Sequence, residues 1–429
     1  MLSSQHNCSD NSIEQNNKGN ATSRVNEGRR RVNINQIPEE IINNEILNQK
    51  IASTLPKNYN FEIHKTIWKL KNINCKRVAL QFPEGLFVFA IAISELLEEF
   101  AQVEVVVFGD VTYGACCVDD FTANSIKCDF IIHYAHSCLV PVNQMLNGIK
   151  VLYVFVDIKF DLWHFIETVA LNFDPHKNHF ALASTIQFVT SIHSAAKELR
   201  EKHNFKVYIP QSKPLSPGEV LGCTASKLPQ EINTILFVAD GRFHLEAILI
   251  ANPNIEAYKY NPYNKEITKE SYDFEKMICD RQKAIETSTQ VCKGEGTFGL
   301  ILGTLGRQGN PKILQNLIAK LTKSTECNFI NLLLPEIKPE TLNLFTQIDG
   351  WVQIACPRLS IDWGNNFTSK PLLTPYEFSS AIKSFHSNEK ICQSDNYPMD
   401  FYASNSHGDW TPNHKCSSIC NCEQEKNCN

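Results

Sequence analysis

The chain has 429 residues and a formal net charge of −5, with an ordinary share of apolar residues. A chain of this length exceeds one compact core, so we expect two or three domains. Charges of both signs are intermixed without a basic field, which argues against a nucleic-acid partner. Because neither a targeting segment nor an apolar run of membrane-spanning length is evident, the sequence predicts a soluble, cytoplasmic protein with no membrane partner.

The N-terminal part of the chain combines a polar tail with two helical segments. Residues 1–36 are rich in Asn, Ser, Gln and Arg without apolar periodicity, which predicts a disordered tail. The segment IPEEIINNEILNQKIASTL has a proline near its start and spaced Ile and Leu residues, which is typical of one amphipathic helix. The segment EIHKTIWKLKN predicts a second helix.

Short β-branched or aromatic runs then alternate with helical stretches, which indicates mostly parallel sheets with crossover helices. The runs are VALQF, VEVVVF, FIIHY and VLYVFV; FALAST, KVYIP, TILFVA and IEAYKY; and FGLILG, NFINLLL, WVQIA and PLLTPY. We therefore predict an α/β fold with a threefold pseudo-repeat of a small, mostly parallel four-stranded sheet module with helices. The predicted modules are 37–160, 161–265 and 266–385, followed by a C-terminal extension with a disordered, Cys-rich tail at 386–429.

The chain contains 16 cysteines, and thiols in a reducing compartment serve metal binding, catalysis or packing. Cys116, Cys223 and Cys356 each follow a predicted strand, one in each module. Ligand sites in open α/β sheets gather at the carboxyl ends of strands, so three modules around one axis could direct these thiols into one central space. Spacing alone is also consistent with three unrelated buried cysteines instead of a shared site. Within a shared site, Cys117 is an alternative to Cys116 as the ligand.

Three converging thiolates would favour a soft metal, chiefly zinc, copper(I) or an iron-sulfur cluster. Structural zinc sites usually draw four ligands from closely spaced pairs, whereas these cysteines are far apart in sequence. Three thiolates on a cubane of four irons leave one iron open to a substrate, as S-adenosylmethionine chemistry requires. Packing or simple exposure explains six further cysteines, which are Cys75, Cys128, Cys138, Cys279, Cys292 and Cys327.

Long segments between Ile37 and Pro412 resemble a known family. They include LQFPEGL, GDVTYGACCVDDFTA, HYAHSCLVPV, KPLSPGEVLGCT, ADGRFHLEAI, ILGTLGRQGNPKIL, ACPRLSIDWG and YPMDFYA, in the order of the family. On these segments the sequence resembles the eukaryotic family of 2-(3-amino-3-carboxypropyl)histidine synthase subunit 1, of diphthamide biosynthesis. The resemblance implies three small α/β domains, with the family's three cluster cysteines at Cys116, Cys223 and Cys356.

The resemblance also implies an enzyme, a transferase that uses unconventional radical chemistry. It would move the 3-amino-3-carboxypropyl group of S-adenosylmethionine to C2 of a histidine in translation elongation factor 2. A [4Fe-4S] cluster would supply the electron, and methylthioadenosine would be the leaving product. The implied partners are a homologous second subunit in a heterodimer, a small cysteine-rich electron donor, and the elongation factor as substrate.

The segment GTLGRQGNPKIL predicts a ligand-binding loop between a strand and a helix. Backbone N–H groups, a helix N-terminus and a guanidinium could converge there on an anion, for which the methionine carboxylate is our candidate. The predicted contacts are Gly303, Gly306, Arg307, Gln308 and Gly309. A tight turn with a solvated arginine is the alternative.

Other polar residues near strand ends have a functional and a structural interpretation. Ligand contact or helix capping could explain Glu84, Gly85, Asp240 and Arg242. Binding of the incoming histidine, or an ordinary hydrogen-bonded core position, could explain His133, His136 and His244. Arg358 and Asp362 could pair beside Cys356.

Two other functions are open to this sequence. One is a non-catalytic scaffold subunit of the same complex, against which the intact cysteine triplet counts. The other is a zinc-dependent hydrolase, for which a general base in a plausible motif is missing. Zinc binding or electron relay by the tail could involve Cys416, Cys420, Cys422 and Cys428, although their spacing is not that of a standard zinc finger.

Overall fold

The computed structural model describes residues 37–140, 145–367, 369–387, 397–399, 401–402, 405–412 and 414. The predicted N-terminal tail and the four tail cysteines lie outside these residues. None of the helices within the described ranges is both long enough and apolar enough to cross a membrane.

Three helices precede the first sheet: α1 (Glu39–Ile42), α2 (Glu45–Thr54) and α3 (Ile63–Asn72). The prediction of a second helix is confirmed by α3, but the prediction of one continuous helix before it is wrong. The Asn44 side chain accepts a hydrogen bond from the N–H of Leu47 at 2.9 Å. An asparagine in this role starts a new helix instead of continuing the previous one, so the chain breaks between α1 and α2.

The first sheet has four parallel strands in the order β3-β2-β4-β5. These strands are β2 (Arg77–Gln81), β3 (Glu104–Val107), β4 (Phe130–Tyr134) and β5 (Lys150–Val154), connected through α4 (Glu84–Phe87), α5 (Ala90–Ala101) and α6 (Asp120–Ser125). Both faces of the central strands are covered, and Leu80 and Ile132 are fully buried. A separate two-stranded ribbon pairs β1 (Tyr59–Asn60) with β6 (Asp157–Ile158).

The second sheet has five strands in the order β11-β10-β9-β7-β8. They are β7 (His179–Ser184), β8 (Lys206–Tyr208), β9 (Thr234–Val238), β10 (Glu256–Asn261) and β11 (Glu266–Glu270), with helices α7 (Leu162–Asn172), α8 (Val189–Glu201) and α9 (Phe243–Ala251). The first four strands are parallel, as predicted. The expected strand number is wrong for this sheet, because β11 returns antiparallel to β10 and extends the sheet to Glu270.

The third sheet again has four parallel strands, in the order β13-β12-β14-β15. They are β12 (Thr297–Gly303), β13 (Asn328–Leu334), β14 (Gly350–Ile354) and β15 (Leu372–Leu373). The helices are α10 (Phe274–Lys293), α11 (Pro311–Ser324), α12 (Pro339–Asn343), α13 (Pro357–Phe367) and α14 (Pro375–Ser387). The mixed α/β class with mostly parallel sheets is therefore confirmed. In each sheet the first strand lies between the second and the third.

Candidate functional site

Three strand ends each carry one of the predicted metal-binding cysteines. Cys116 lies in the short 3-10 helix Ala115–Cys117 after β3, Cys223 lies in the loop after β8, and Cys356 lies between β14 and α13. All three are partly exposed, whereas Cys117 is buried. The predicted residues are thus placed beyond strands of three different sheets, where ligand sites of α/β proteins gather.

The structure brings these three thiols into one electrostatic environment. A hydrogen bond with Cys117, burial, and the charges of Cys117, Cys223 and Cys356 raise the pKa of the Cys116 thiol well above its ordinary value. Burial, followed by the charges of the same four cysteines, likewise raises the pKa of the Tyr402 phenol. Because such charge effects weaken with distance, the three cysteine-bearing segments converge on a common region.

The chemistry of this donor set suits an iron-sulfur cluster. Burial raises the pKa of Cys356 to about 11, and mutual repulsion of the thiolates also opposes loss of their protons. Positively charged iron reverses that preference, since coordinated thiols are deprotonated. Within the described ranges, no three His, Cys, Asp or Glu side chains are grouped to hold a single metal ion.

The loop between β12 and α11 packs against the segment that carries Cys116. Gly306 has a φ of 55°, and a Cβ there would lie 2.5 Å from the backbone of Cys117, so this close approach requires glycine. The N–H of Arg307 donates to the carbonyl of Cys116 at 2.9 Å. The Arg307 guanidinium donates to both carboxylate oxygens of Asp120, at 2.7 and 2.6 Å. The alternative of a solvated arginine is therefore wrong.

Several donors that could have met an anion in this loop have partners within the protein. The Asn310 side chain caps the N-terminus of α11, and the N–H of Gln308 donates to the carbonyl of Leu305 at 3.2 Å. A Cβ on Gly309 would lie 2.2 Å from the carbonyl oxygen of Gly303, so glycine at position 309 lets the loop close on itself. The main feature of the loop is thus its compact backbone beside Cys116.

Arg358, in the first turn of α13, fastens the segment of Cys356 to the loop of Cys223. Its side chain is 2% exposed, and its guanidinium lies 4.2 Å from the centre of the Phe243 ring. Its hydrogen-bond partners are the carbonyl oxygens of Gly222 at 3.2 Å and Phe243 at 2.8 Å, and the carboxylates of Asp362 at 2.9 Å and Glu246. The predicted pairing with Asp362 is confirmed, and the contacts with the second cysteine loop were not foreseen.

Glu219 joins the Cys223 loop to the first sheet. Its carboxylate accepts a hydrogen bond from the Ser137 hydroxyl at 2.5 Å and another from the N–H of Ser216 at 3.1 Å. Burial raises the pKa of Glu219 to about 6. A polar contact therefore joins each pair of the three sheet-bearing regions: Arg307 with Asp120, Arg358 with Gly222, and Ser137 with Glu219.

The buried Glu219 carboxyl should make stability fall as the pH rises. Its folded pKa of about 6 exceeds the ordinary value of 4.5, so the folded chain binds this proton more tightly than the unfolded chain does. The resulting stabilisation is present below pH 4.5 and is lost as the pH rises through about 6. Between pH 4 and pH 7, the native chain should lose about 2 kcal/mol relative to a Glu219→Gln variant.

Urea unfolding at both pH values measures this difference, and Glu256→Gln on the exposed side of β10 is the control. This variant measures the effect of a Glu→Gln change at an exposed position, against which the effect of Glu219→Gln is compared. Equal free-energy losses for the native chain and the Glu219→Gln variant would contradict the assignment.

Two of the three histidines near strand ends have a buried polar atom without a hydrogen-bond partner among the described residues. His133 is fully buried and its Nδ1 lies 3.1 Å from Oε1 of Gln81, yet its Nε2 and the Nδ1 of His136 have no hydrogen-bond partner among the described residues. Burial and a neighbouring histidine lower the pKa of His136 to about 4, and burial with the charge of Arg358 does the same for His244. Burial also lowers the pKa of His133, so all three histidines are neutral at neutral pH. An ordinary core position explains the burial of these side chains, but it does not explain the polar atoms that lack hydrogen-bond partners.

The remaining polar candidates form surface contacts. Arg242 pairs with Glu246 at 2.8 Å and donates to the carbonyl of Ser271. The Asp240 side chain accepts a hydrogen bond from the N–H of Gly241. Neither α4 nor α9 has a side-chain cap at its N-terminus, so the capping interpretation is wrong for these residues.

A cavity of about 240 Å³ lies at the carboxyl ends of β2 and β3. Its lining includes Gln81, Cys117, Asp119, Thr122 and Leu305. It thus borders both the first cysteine segment and the loop after β12.

A C-terminal segment also contacts the Cys223 loop, and no sequence motif predicted this contact. The N–H of Phe401 donates to the carbonyl of Cys223 at 2.9 Å, and the N–H of Tyr402 donates to Oγ1 of Thr224 at 3.3 Å. Both rings belong to the apolar cluster against which Cys116 and Cys223 pack. The only sequence signal for this role is the segment YPMDFYA, which belongs to the family resemblance.

Comparison with known proteins identifies the class of this molecule. The family model for diphthamide synthesis proteins matches residues 82–392. The 2-(3-amino-3-carboxypropyl)histidine synthase subunit 1 of Bos taurus is 53% identical over 380 residues, which cover 89% of this chain and 83% of that protein. The Schizosaccharomyces pombe protein of the same name is 51% identical over 384 residues, or 88% of this chain and 84% of that protein. The chain belongs to the diphthamide synthesis family, among the relatives of synthase subunit 1.

Solved structures show the same fold. The crystal structure of Dph2 from Pyrococcus horikoshii superposes with a TM-score of 0.63 and 24% sequence identity, covering 79% of this chain and 94% of that chain. The structure of that protein with a 4Fe-4S cluster superposes with a TM-score of 0.64, covering 80% and 94%.

Proposed function

We propose that this chain is the catalytic, iron-sulfur-bearing subunit of the enzyme that begins diphthamide synthesis. It transfers the 3-amino-3-carboxypropyl group of S-adenosylmethionine to C2 of a histidine in translation elongation factor 2. The convergence of Cys116, Cys223 and Cys356 carries this proposal, in a chain about half identical to the curated synthase subunits. Each cysteine ligates one iron of a [4Fe-4S] cluster, which supplies the electron for cleavage of the sulfonium.

The protein's own contribution is to hold the three thiolates in fixed positions. Asp120 and Arg307 link the Cys116 segment to the third sheet, and Arg358 links the segments of Cys223 and Cys356. A rigid arrangement of this kind keeps the reacting carbon of the substrate aligned, which can account for a large part of a rate enhancement. We further propose that the three sheets are repeats of one module, divided near residues 160 and 270, because they share the same strand order.

In this proposal, S-adenosylmethionine binds beside the loop after β12. Its contacts are with Gly303, Gly306, Arg307, Gln308 and Gly309. The contact of this loop with the Cys116 segment supports the placement. Because Asp120 offsets the charge of Arg307, we expect the loop to act through its backbone shape more than through that charge. The cavity bordered by Cys117 and Leu305 offers space for the adenosine part.

The proposed partners are a homologous second subunit, a small cysteine-rich electron donor and translation elongation factor 2. The designation of the curated relatives as subunit 1 supports a complex of more than one chain. We also propose a cytoplasmic location, where elongation factor 2 acts. The alternative, a scaffold subunit, is disfavoured by the convergence of all three cysteines.

The direct test reconstitutes the chain anaerobically with its partner subunit and elongation factor 2. With carboxyl-labelled S-adenosylmethionine and dithionite, label should appear on the factor. Iron analysis separates the alternatives, since a catalytic subunit should bind about four irons per chain and a scaffold none. A complex that transfers label while this chain carries no iron would favour the scaffold and overturn the proposal.

A further inference from the structure

Two buried glutamines lie in central strands of the first and third sheets. Gln81 is the last residue of β2, and Gln353 lies one residue before the end of β14. Both side chains are almost completely buried, and each of the two strands has a neighbouring strand on both sides. Glutamine is mostly found at protein surfaces, because burial of an amide costs free energy unless it is hydrogen-bonded. The contacts of these two amides therefore need an explanation.

The amide of Gln353 contacts the segment that carries Cys356. Its Nε2 donates to the carbonyl of Cys356 at 2.9 Å and to the hydroxyl of Ser360 at 3.0 Å. The same carbonyl accepts the N–H of Leu359 at 3.0 Å, so the start of α13 and the third sheet both hold it. The Oε1 of Gln353 has no hydrogen-bond partner among the described residues. The amide is thus placed for its donor group, although an unpaired buried acceptor is costly.

Gln81 makes a similar contact with the segment that carries Cys116. Its Nε2 donates to the carbonyl of Cys117 at 3.1 Å. Its Oε1 accepts the N–H of Asp119 at 3.1 Å and lies 3.1 Å from Nδ1 of His133. Because an amide oxygen only accepts hydrogen bonds, these two neighbours determine that the NH₂ group faces Cys117.

A carbonyl that is held in this way restricts the thiol indirectly. Cys116 and Cys117 belong to one short 3-10 helix, and Cys356 carries both its carbonyl and its thiol, so a fixed peptide group limits the directions in which the sulfur can point. Partners that orient metal ligands typically contribute about tenfold to hundredfold to metal affinity. At the remaining cysteine, the N–H of Phe401 donates to the carbonyl of Cys223. All three cysteine segments are therefore held by a carbonyl at or next to the cysteine.

We propose that Gln81 and Gln353 are positioning residues for the cysteine site: each donates an amide N–H to a backbone carbonyl of a cysteine segment and so fixes the direction of the thiolate of Cys116 or Cys356. This inference rests on the proposed function, because it requires that these cysteines hold a cluster. In this role neither glutamine is a metal ligand, and each acts through the backbone of a ligand.

Methionine at each position tests the amide, because methionine is similar in size to glutamine and has no N–H donor. The Gln81→Met and Gln353→Met complexes should bind the cluster, but without S-adenosylmethionine they should release iron to an excess of chelator about tenfold faster than the unaltered complex. The electron paramagnetic resonance spectrum of the reduced cluster should also change shape, since it reports the geometry of the ligands. Absorbance of the iron–chelator complex measures the release, and urea unfolding of the same preparations shows whether each variant is folded.

Gln187→Met is the matched control. The Nε2 of Gln187 donates to the carbonyl of Ala135 at 2.8 Å, which lies outside the cysteine segments. Its replacement removes the same kind of hydrogen bond and should leave the rate of iron release and the spectrum unchanged.

Two results would overturn this inference alone. One is a rate of iron release and a spectrum in Gln81→Met and Gln353→Met that equal those of Gln187→Met. The other is unfolding of both variants where the control stays folded, which would show that the two amides serve the fold and not the site. Failure of the unaltered chain to bind a cluster would overturn the proposed function and this inference together.

Discussion

Replacement of Cys223 with alanine should reduce group transfer by about a hundredfold or more and remove most of the iron from the chain. Loss of one of three thiolate ligands leaves a second iron without a protein ligand, and cluster binding depends on the complete donor set. The variants Cys116→Ala and Cys356→Ala should behave in the same way. Activity with labelled S-adenosylmethionine and iron and sulfide analysis of the same preparations measure the effect.

Two cysteines outside the site provide matched controls. Cys279 is exposed on α10, and Cys128 is buried next to β4, so their alanine variants control for the loss of an exposed and of a buried thiol. Both should retain iron and activity. The Cys117→Ala variant shows which of the two adjacent thiols binds iron. It should retain iron, because Cys116 is the proposed ligand. A Cys223→Ala preparation with undiminished iron would contradict the assignment.

Replacement of Arg358 with methionine should have the largest effect on stability. The guanidinium is almost fully buried and lies between the carboxylates of Asp362 and Glu246. Its removal leaves these acidic groups and two backbone carbonyls without their cationic partner, which typically costs about 3–5 kcal/mol. Because Arg358 also joins the two cysteine segments, iron retention after reconstitution should fall. Urea unfolding and iron analysis report the two effects separately.

Arg242→Met is the control for the loss of a charge that also pairs with Glu246. The Arg242 side chain is 50% exposed, so its contribution is screened by solvent and the expected change is within about 1 kcal/mol. Similar stabilities of the Arg358 and Arg242 variants would show that the buried contacts do not hold the two segments together.

The strands were predictable because their apolar runs are long and local. The predicted runs coincide with strands of all three sheets, including VALQF at β2 and TILFVA at β9. The sequence EITKE of β11 has a single apolar residue, Ile267, among polar and charged ones, as suits an exposed edge strand, and its apolar signal was too weak to identify. The break between α1 and α2 was missed because it depends on the hydrogen bond from the N–H of Leu47 to the Asn44 side chain. The sequence alone does not show whether an asparagine makes such a bond.

Only those parts of the site that lie in local sequence motifs were predictable. The three cysteines and the loop after β12 have recognisable sequence contexts, and the structure brings them together. The partner of Arg307 is Asp120, at the start of helix α6 beside the first sheet, and a partner of Glu219 is Ser137. Such pairings depend on how separate sheets pack, and no periodicity or spacing encodes them. The positions of Phe401 and Tyr402 were missed for the same reason, since they follow from contacts with the Cys223 loop.

The most direct test of the account is to count iron and sulfide in the anaerobically purified complex, with the native chain and with a chain in which Cys116, Cys223 and Cys356 are all alanine. We predict about four irons and four sulfides bound to the native chain, with an electron paramagnetic resonance signal on reduction. The triple variant should bind no iron or sulfide. Equal iron and sulfide contents in the two preparations would contradict the account.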